Sequence, residues 1–157
     1  LTPSEACALL KDIDGKPPVY RPLPQVAAAT LSSGCFLLMF NGTAADIVPS
    51  AIAGGAGFTA LVLFHRYVPA KLFAELLAAV VVGAIACLSV SIGIGHELDR
   101  IIIGAVMPLV PGLLLTNAVR DLMAGHLVSG LSKGAEAFLT AFTIGTGIAF
   151  VLSMYYS

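Results

Sequence analysis

An all-α fold of several membrane-crossing helices is the class that three observations predict. Hydrophobic residues make up 58% of the 157-residue chain. Charged residues make up 11%, where a soluble domain carries about 25%. Five long apolar runs follow one another, and none alternates as a half-buried strand would. Mean hydropathy is +0.97. Eight basic and nine acidic side chains cannot clothe a soluble surface of this size. The same composition excludes collagen-like, disordered and disulfide-stapled chains. A net charge of −1 carries no signal for a nucleic-acid partner. The three cysteines, Cys7, Cys35 and Cys87, lie far apart without a C-x-x-C, and two fall inside apolar runs, which reads as free buried thiols.

Residues 1–22 differ from the rest. Thr2, Pro3 and Glu5 resemble a helix start, with an N-cap, a proline at the first position and an acid three residues on. A short amphipathic helix is expected over 6–13. Pro17, Pro18, Pro22 and Pro24 then read as an extended linker. The chain starts at Leu1 rather than Met, and its polar, proline-rich beginning is no signal peptide. The expectation is a piece of a longer chain. In it, residues 1–22 are the end of a cytoplasmic region and its linker, and 23–157 form a five-helix transmembrane domain.

The runs cover 23–40, 47–64, 72–94, 101–119 and 135–155. A spanning helix needs about 20 mostly apolar residues, with about 17 tolerated. Backbone groups in lipid must be satisfied within the segment, so helices are expected throughout. Asn41-Gly42 closes the first run. Pro69 opens the third. His96 to Arg100 separate the third from the fourth, with Asp99 expected as an N-cap.

Loop charge sets an orientation. If the spans alternate, Lys11, Lys16, Arg21, Arg66, Lys71, Arg120 and Lys133 share one side, and Arg100 alone stands on the other. Positive loops are cytoplasmic. The N-terminus is therefore expected inside and Ser157 outside, in a multi-pass protein of the cytoplasmic membrane. An odd span number means that a second unit following on would be inverted, a common plan of secondary transporters.

The fourth run carries the strongest chemical signal. Pro108 and Pro111 each lack an N–H, and Gly112 allows a bend or a close approach. A helix broken at depth turns backbone groups toward a cavity. Pro111, Gly112, Thr116 and Asn117 are thus candidates for substrate binding. Asn117, Asp121 and Gly125 are spaced i, i+4, i+8, which puts them on one helical face. Asp121, Glu75 and Arg120 are candidates for a proton or charge relay, because ionisable groups within spans tend to be functional. Against this stand structural readings: a plain proline kink, Asn117 bonding a neighbouring helix, and Asp121 pairing with Arg120 or Lys133. Glu75 and Glu136 could each take a proton or pair with Arg66, Arg120 or Lys133, and ion pairing is the expected role. His96 to Arg100 read as a solvated turn.

Ala53 and Gly57 fit small-xxx-small packing. Gly130 to Gly134 match G-x-S-x-G, but in an expected loop between helices with no strand before it, so a hydrolase is set aside. Asn41-Gly42-Thr43 fits a glycosylation acceptor but reads as a turn. The three histidines show no metal-ligand spacing, and no phosphate loop is present. Neither a cofactor, a metal nor an enzymatic centre is expected.

Pro108-Leu109-Val110-Pro111-Gly112, Thr116-Asn117-Ala118, Asp121-Leu122, Gly125-His126 and Gly130 together resemble the signature of the ThrE-type threonine/serine exporter family. The likeness extends from Leu1 through the five runs. It implies a cytoplasmic domain ahead of the spans. It also implies a second membrane half, in the same chain or as a separate subunit, so that the working protein is a homo- or hetero-oligomer in the bilayer. It implies export of small hydrophilic metabolites driven by the proton gradient. Threonine and serine are the substrates in one branch, and succinate-like dicarboxylates in another. Few cations at depth favour the amino acids. A dicarboxylate would shift attention to Arg120 and the half-helix ends. The reading of another class is a non-transporting membrane scaffold.

Overall fold

The computed structural model describes residues 22–67 and 70–157. Six helices follow in order: α1 (Pro22–Met39), α2 (Ile47–Tyr67), α3 (Lys71–Ser91), α4 (Leu98–Val106), α5 (Gly112–Met123) and α6 (Leu127–Tyr155). Short 3-10 turns lead into α2 (Ala44–Asp46) and out of α4 (Met107–Leu109). No strand occurs among the described residues. The expected helix over 6–13, the prolines before Pro22, and Pro69 lie outside the described residues.

Pro22 and Pro24 belong to the first turn of α1 rather than to a linker. A proline is tolerated there because the first N–H groups of a helix have no internal acceptor. Three helices end the same way. Asn41 (φ 56°), Gly93 (φ 84°) and Gly125 (φ 82°) each take the left-handed conformation two residues past the last helical residue. The N–H groups of Gly42, Ile94 and His126 then donate back to the carbonyls of Leu37, Ser89 and Asp121 at 2.9–3.0 Å. This closes the last turn as a Schellman cap. A side chain at Gly42 would strike Leu37 at 2.4 Å, which explains the Asn-Gly pair.

Small residues set how closely the helices pack. A Cβ on Gly54 would meet Ser33, one on Gly55 would meet Thr30, and one on Gly57 would meet Val82, all within 2.3 Å. The α2 glycines thus admit α1 on one side and α3 on the other, the packing role read for Ala53 and Gly57. Gly104 of α4 lies against Ser50 and Leu37, and Gly147 of α6 against Leu76 and Ala79. These approaches order the chain. Helix α1 is antiparallel to α2, α4 runs parallel to α2, and α6 runs parallel to α3. The core is Ala53, Ala78, Ala79, Val82, Ala105, Leu109 and Ile144, with a second cluster around Leu37, Ala86, Ile101 and Ile102.

Three helices are long and apolar enough to cross a membrane: Ala44–Tyr67, Lys71–Ser91 and Leu127–Tyr155. Helix α1 is apolar but shorter. The expected single span over 101–119 is instead two pieces, Leu98–Leu109 and Gly112–Met123, bent by 61°. Counted together they would make a fourth span. Pro108 and Pro111 cause the break, since neither can donate to the turn before it. Val110 is extended (φ −63°, ψ 131°) and its N–H donates to Met107 O at 3.2 Å.

Two expected boundaries differ. Helix α4 starts at Leu98 with Glu97 at the N-cap, so Asp99 lies in the first turn. There its carboxylate still faces the positive helix end. The expected loop 120–134 shrinks to Ala124, Gly125 and His126, and α6 starts at Leu127. Polar residues there suggested a loop, but Gly130 and Gly134 lie within α6, against Ala118 of α5. The G-x-S-x-G stretch is thus helical and serves as a packing seam. At 29 residues α6 is about 43 Å long, more than the apolar thickness of a bilayer.

Candidate functional site

The break places Pro111 at the N-cap of α5 (φ −77°, ψ 56°), with no side chain capping the helix. Gly112 N–H donates to Val110 O at 2.8 Å, and Leu115 N–H to Pro111 O at 3.1 Å. The first turn of α5 therefore has N–H groups that no side chain caps, at the positive end of the helix. Gly112 is exposed, and a Cβ there would meet nothing within 4 Å. Its value is an open approach to the backbone rather than tight packing.

Helix α5 packs chiefly on α6. Ala118 is its one buried residue. Leu113, Thr116, Asn117 and Arg120 form an exposed stripe at helical spacing. The Thr116 hydroxyl donates to Gly112 O at 2.9 Å, which ties this side chain to the break. Pro111, Gly112 and Thr116 are thus brought together. Asn117 lies alongside on the open face.

Asp121 faces α6. Its Oδ2 accepts from Lys133 Nζ at 2.6 Å and from Ser129 Oγ at 2.7 Å. This is the structural pairing weighed above, and it divides Asp121 from Asn117. Gly125 does not extend their face, because it caps α5 in the left-handed conformation. The expected partners of Glu136 are replaced by one from α3, since its carboxylate pairs with Lys71. Glu75 is 5% exposed, and its Oε2 has no hydrogen-bond partner. It stands on α3, away from the α5–α6 seam where Asp121 is held.

The opposite end of the bundle holds a residue that sequence reasoning passed over. Asp46 is fully buried. Its Oδ2 accepts from Thr43 Oγ1 at 2.6 Å and its Oδ1 from the His96 N–H at 2.7 Å. The loop before α2 is thereby fastened to the loop before α4. The available signal was Thr43 three residues ahead of an acid at a helix start, masked by the neighbouring Asn-Gly turn. The turn read as solvated is therefore anchored at His96, while Arg100 Nε and Glu97 Oε2 pair half-exposed at 2.7 Å. A crevice of about 520 Å³ opens there, lined by His96, Glu97, Asp99, Arg100, Tyr155 and Tyr156.

Among the described residues no group of three or more His, Cys, Asp or Glu could hold a metal ion. Apolar spanning helices, one of them broken beside an uncapped helix start, define a polytopic α-helical membrane protein of the transporter kind. The chain belongs to the ThrE family, described as "Putative threonine/serine exporter", whose match covers residues 1–155. That is a family of exporters rather than of enzymes. No curated protein and no solved structure matches the chain.

Proposed function

We propose that this chain is one membrane half of a proton-coupled secondary exporter of threonine and serine in the cytoplasmic membrane. The observation that carries the reading is the break at Val110–Gly112, in a chain of the ThrE family. The uncapped N–H groups of α5 suit the carboxylate of an amino acid. Thr116 and Asn117, one turn further on, supply hydroxyl and amide groups for its polar side chain. Arg120 adds positive charge at the exposed end of the same stripe.

The topology is five spans, with α1 and the α4–α5 pair each counted as one. Arg66, Lys71, Arg120 and Lys133 then gather at one end of the bundle and Arg100 at the other. This supports a cytoplasmic N-terminus and an outer Ser157. The α5 stripe supports a second membrane half. An Asn or Arg presented to lipid is costly, by about 3 kcal/mol for Arg at the centre of a span. A covering protein surface or a water-filled cavity removes that cost.

The test is flux in proteoliposomes holding the full-length protein with its second membrane half. Labelled threonine and labelled succinate are loaded separately, with and without a proton gradient. Gradient-dependent threonine movement is expected. Succinate movement instead would replace the amino acid by a dicarboxylate, held by Arg120 and the α5 N-terminus. Movement of neither substrate in an assembled complex would favour a scaffold.

A further inference from the structure

Among the described residues, two buried polar side chains inside the bundle each have an oxygen with no hydrogen-bond partner. Glu75 on α3 is 5% exposed and Thr140 on α6 is 2% exposed. Neither Glu75 Oε2 nor Thr140 Oγ1 makes a hydrogen bond. Buried polar atoms in native proteins are paired in the large majority, so an orphan calls for a reason. Two orphans on facing helices call for a shared one.

Their positions are related by helix geometry. Helices α3 and α6 run parallel, and Lys71 pairs with Glu136 at the half-exposed end. Four residues on in each helix stand Glu75 and Thr140, one turn deeper on the same two stripes. One turn deeper again, Ala78 and Ile144 share a core cluster with Leu109, the last residue before the break. The two orphans therefore lie between an ion pair at the bundle's end and the broken helix.

Four of the other described acids are committed elsewhere, and Asp99 lies exposed in the first turn of α4. Asp121 is held by Lys133, Glu136 by Lys71, and Glu97 by Arg100, while Asp46 is bonded by Thr43 and His96. The other titratable and charged groups are Lys71 and Cys87 on α3 itself and Lys133, Glu136 and Tyr155 on α6, which packs against it. Helix α2 adds His65, Arg66 and Tyr67 at its exposed end, and α4 adds Asp99 and Arg100 at its far end. Among the described residues Glu75 forms no ion pair.

We propose that Glu75, with Thr140 beside it, is the proton-binding site of the transport cycle. This rests on the exporter reading above and adds its coupling residue. The Glu75 carboxylate takes one proton from the side of the break and becomes a carboxylic acid, whose O–H donates to Thr140 Oγ1. The proton leaves past Lys71 and Glu136, and the carboxylate is restored. No other bond forms or breaks.

The test uses inverted membrane vesicles from cells expressing the full-length protein, with labelled threonine as the probe. In Glu75→Gln, threonine exchange without a gradient stays within about threefold, while gradient-driven accumulation falls by about tenfold or more. Thr140→Val weakens accumulation and Thr140→Ser restores it. Dicyclohexylcarbodiimide, which modifies protonated carboxyls in apolar surroundings, labels the Glu75 peptide less as pH rises. Full accumulation by Glu75→Gln overturns the proposal, as does a Glu75 peptide unlabelled at every pH. If Glu75→Gln fails to reach the membrane, labelling of the unaltered protein decides. If the unaltered protein moves no threonine in either mode, the exporter reading falls and the transport role of Glu75 with it. Labelling then still reports separately whether Glu75 binds a proton.

Discussion

Helices α4 and α5 are two halves of one apolar stretch, and they are buried very differently. In α4, Leu98, Ile101, Ile102, Gly104 and Ala105 are all buried, packed among α1, α2 and α3. In α5 only Ala118 is buried, against α6. The start of α4 is fastened by Asp46 through His96, whereas α5 starts at an uncapped proline. Polar side chains follow the same division. Those of α4 cluster at its end, while Thr116, Asn117 and Arg120 line the open face of α5. Such a contrast separates a half whose residues answer to packing from a half whose polar face is open, the face assigned to substrate in the proposal above.

The largest effect should come from the α4 side. A Cβ on Gly104 would meet Ser50 Oγ at 2.6 Å, and Leu37 Cβ and Ser33 O at 3.0 Å. Two of those three atoms cannot swing aside. Gly104→Ala should destabilise the protein by about 2–3 kcal/mol, read as a loss of thermal stability in detergent. Gly112→Ala, across the break, should stay within about 0.5 kcal/mol, because nothing lies within 4 Å of the added carbon. Equal losses at the two glycines would erase the contrast.

Next comes the anchor at the start of α4. Asp46→Ala leaves the His96 N–H and the Thr43 hydroxyl without their shared acceptor inside the protein. A loss of about 1–3 kcal/mol is expected, with faster hydrogen exchange at His96. Unchanged exchange at His96 would show that the two loops hold together without the carboxylate.

Asn117 on α5 should behave in the opposite sense. Asn117→Ala removes an exposed side chain that makes no side-chain hydrogen bond among the described residues, so stability should move by less than about 0.5 kcal/mol. Threonine flux should fall by about tenfold, equivalent to about 1.4 kcal/mol. A variant that keeps full flux would return α5 to the scaffold side.

Much of this division was legible beforehand, and its limits are physical. Apolar runs locate spanning helices because lipid leaves the backbone no alternative. Proline at 108 and 111 marks the break because its missing N–H acts locally. What escaped depends on tertiary pairing. The α5–α6 turn is only three residues because Gly130 and Gly134 admit α5 closely, which no local signal around Asp121 and Lys133 reveals. Asp46 gains its role from His96, 50 residues away. Glu75 looked ready to pair with Arg66, Arg120 or Lys133, but its Oε2 has no hydrogen-bond partner and Lys133 turns instead to Asp121.

The smallest effect is expected at the exposed end of the α5–α6 hairpin. Lys133→Ala removes the ion pair to Asp121, which joins two helices that meet through the small residues Ala118, Gly130 and Gly134. The Lys133 side chain is 39% exposed, and solvent screens a pair of this kind. The Ser129 hydroxyl also continues to donate to Asp121 Oδ2. A loss of no more than about 0.5 kcal/mol follows, and high salt should shrink the difference between variant and parent. A loss several times larger would mean that the charge pair, rather than the glycine seam, holds α5 against α6. The open face of α5 would then owe its position to electrostatics, and its stability would depend on salt in a way the α4 side does not share.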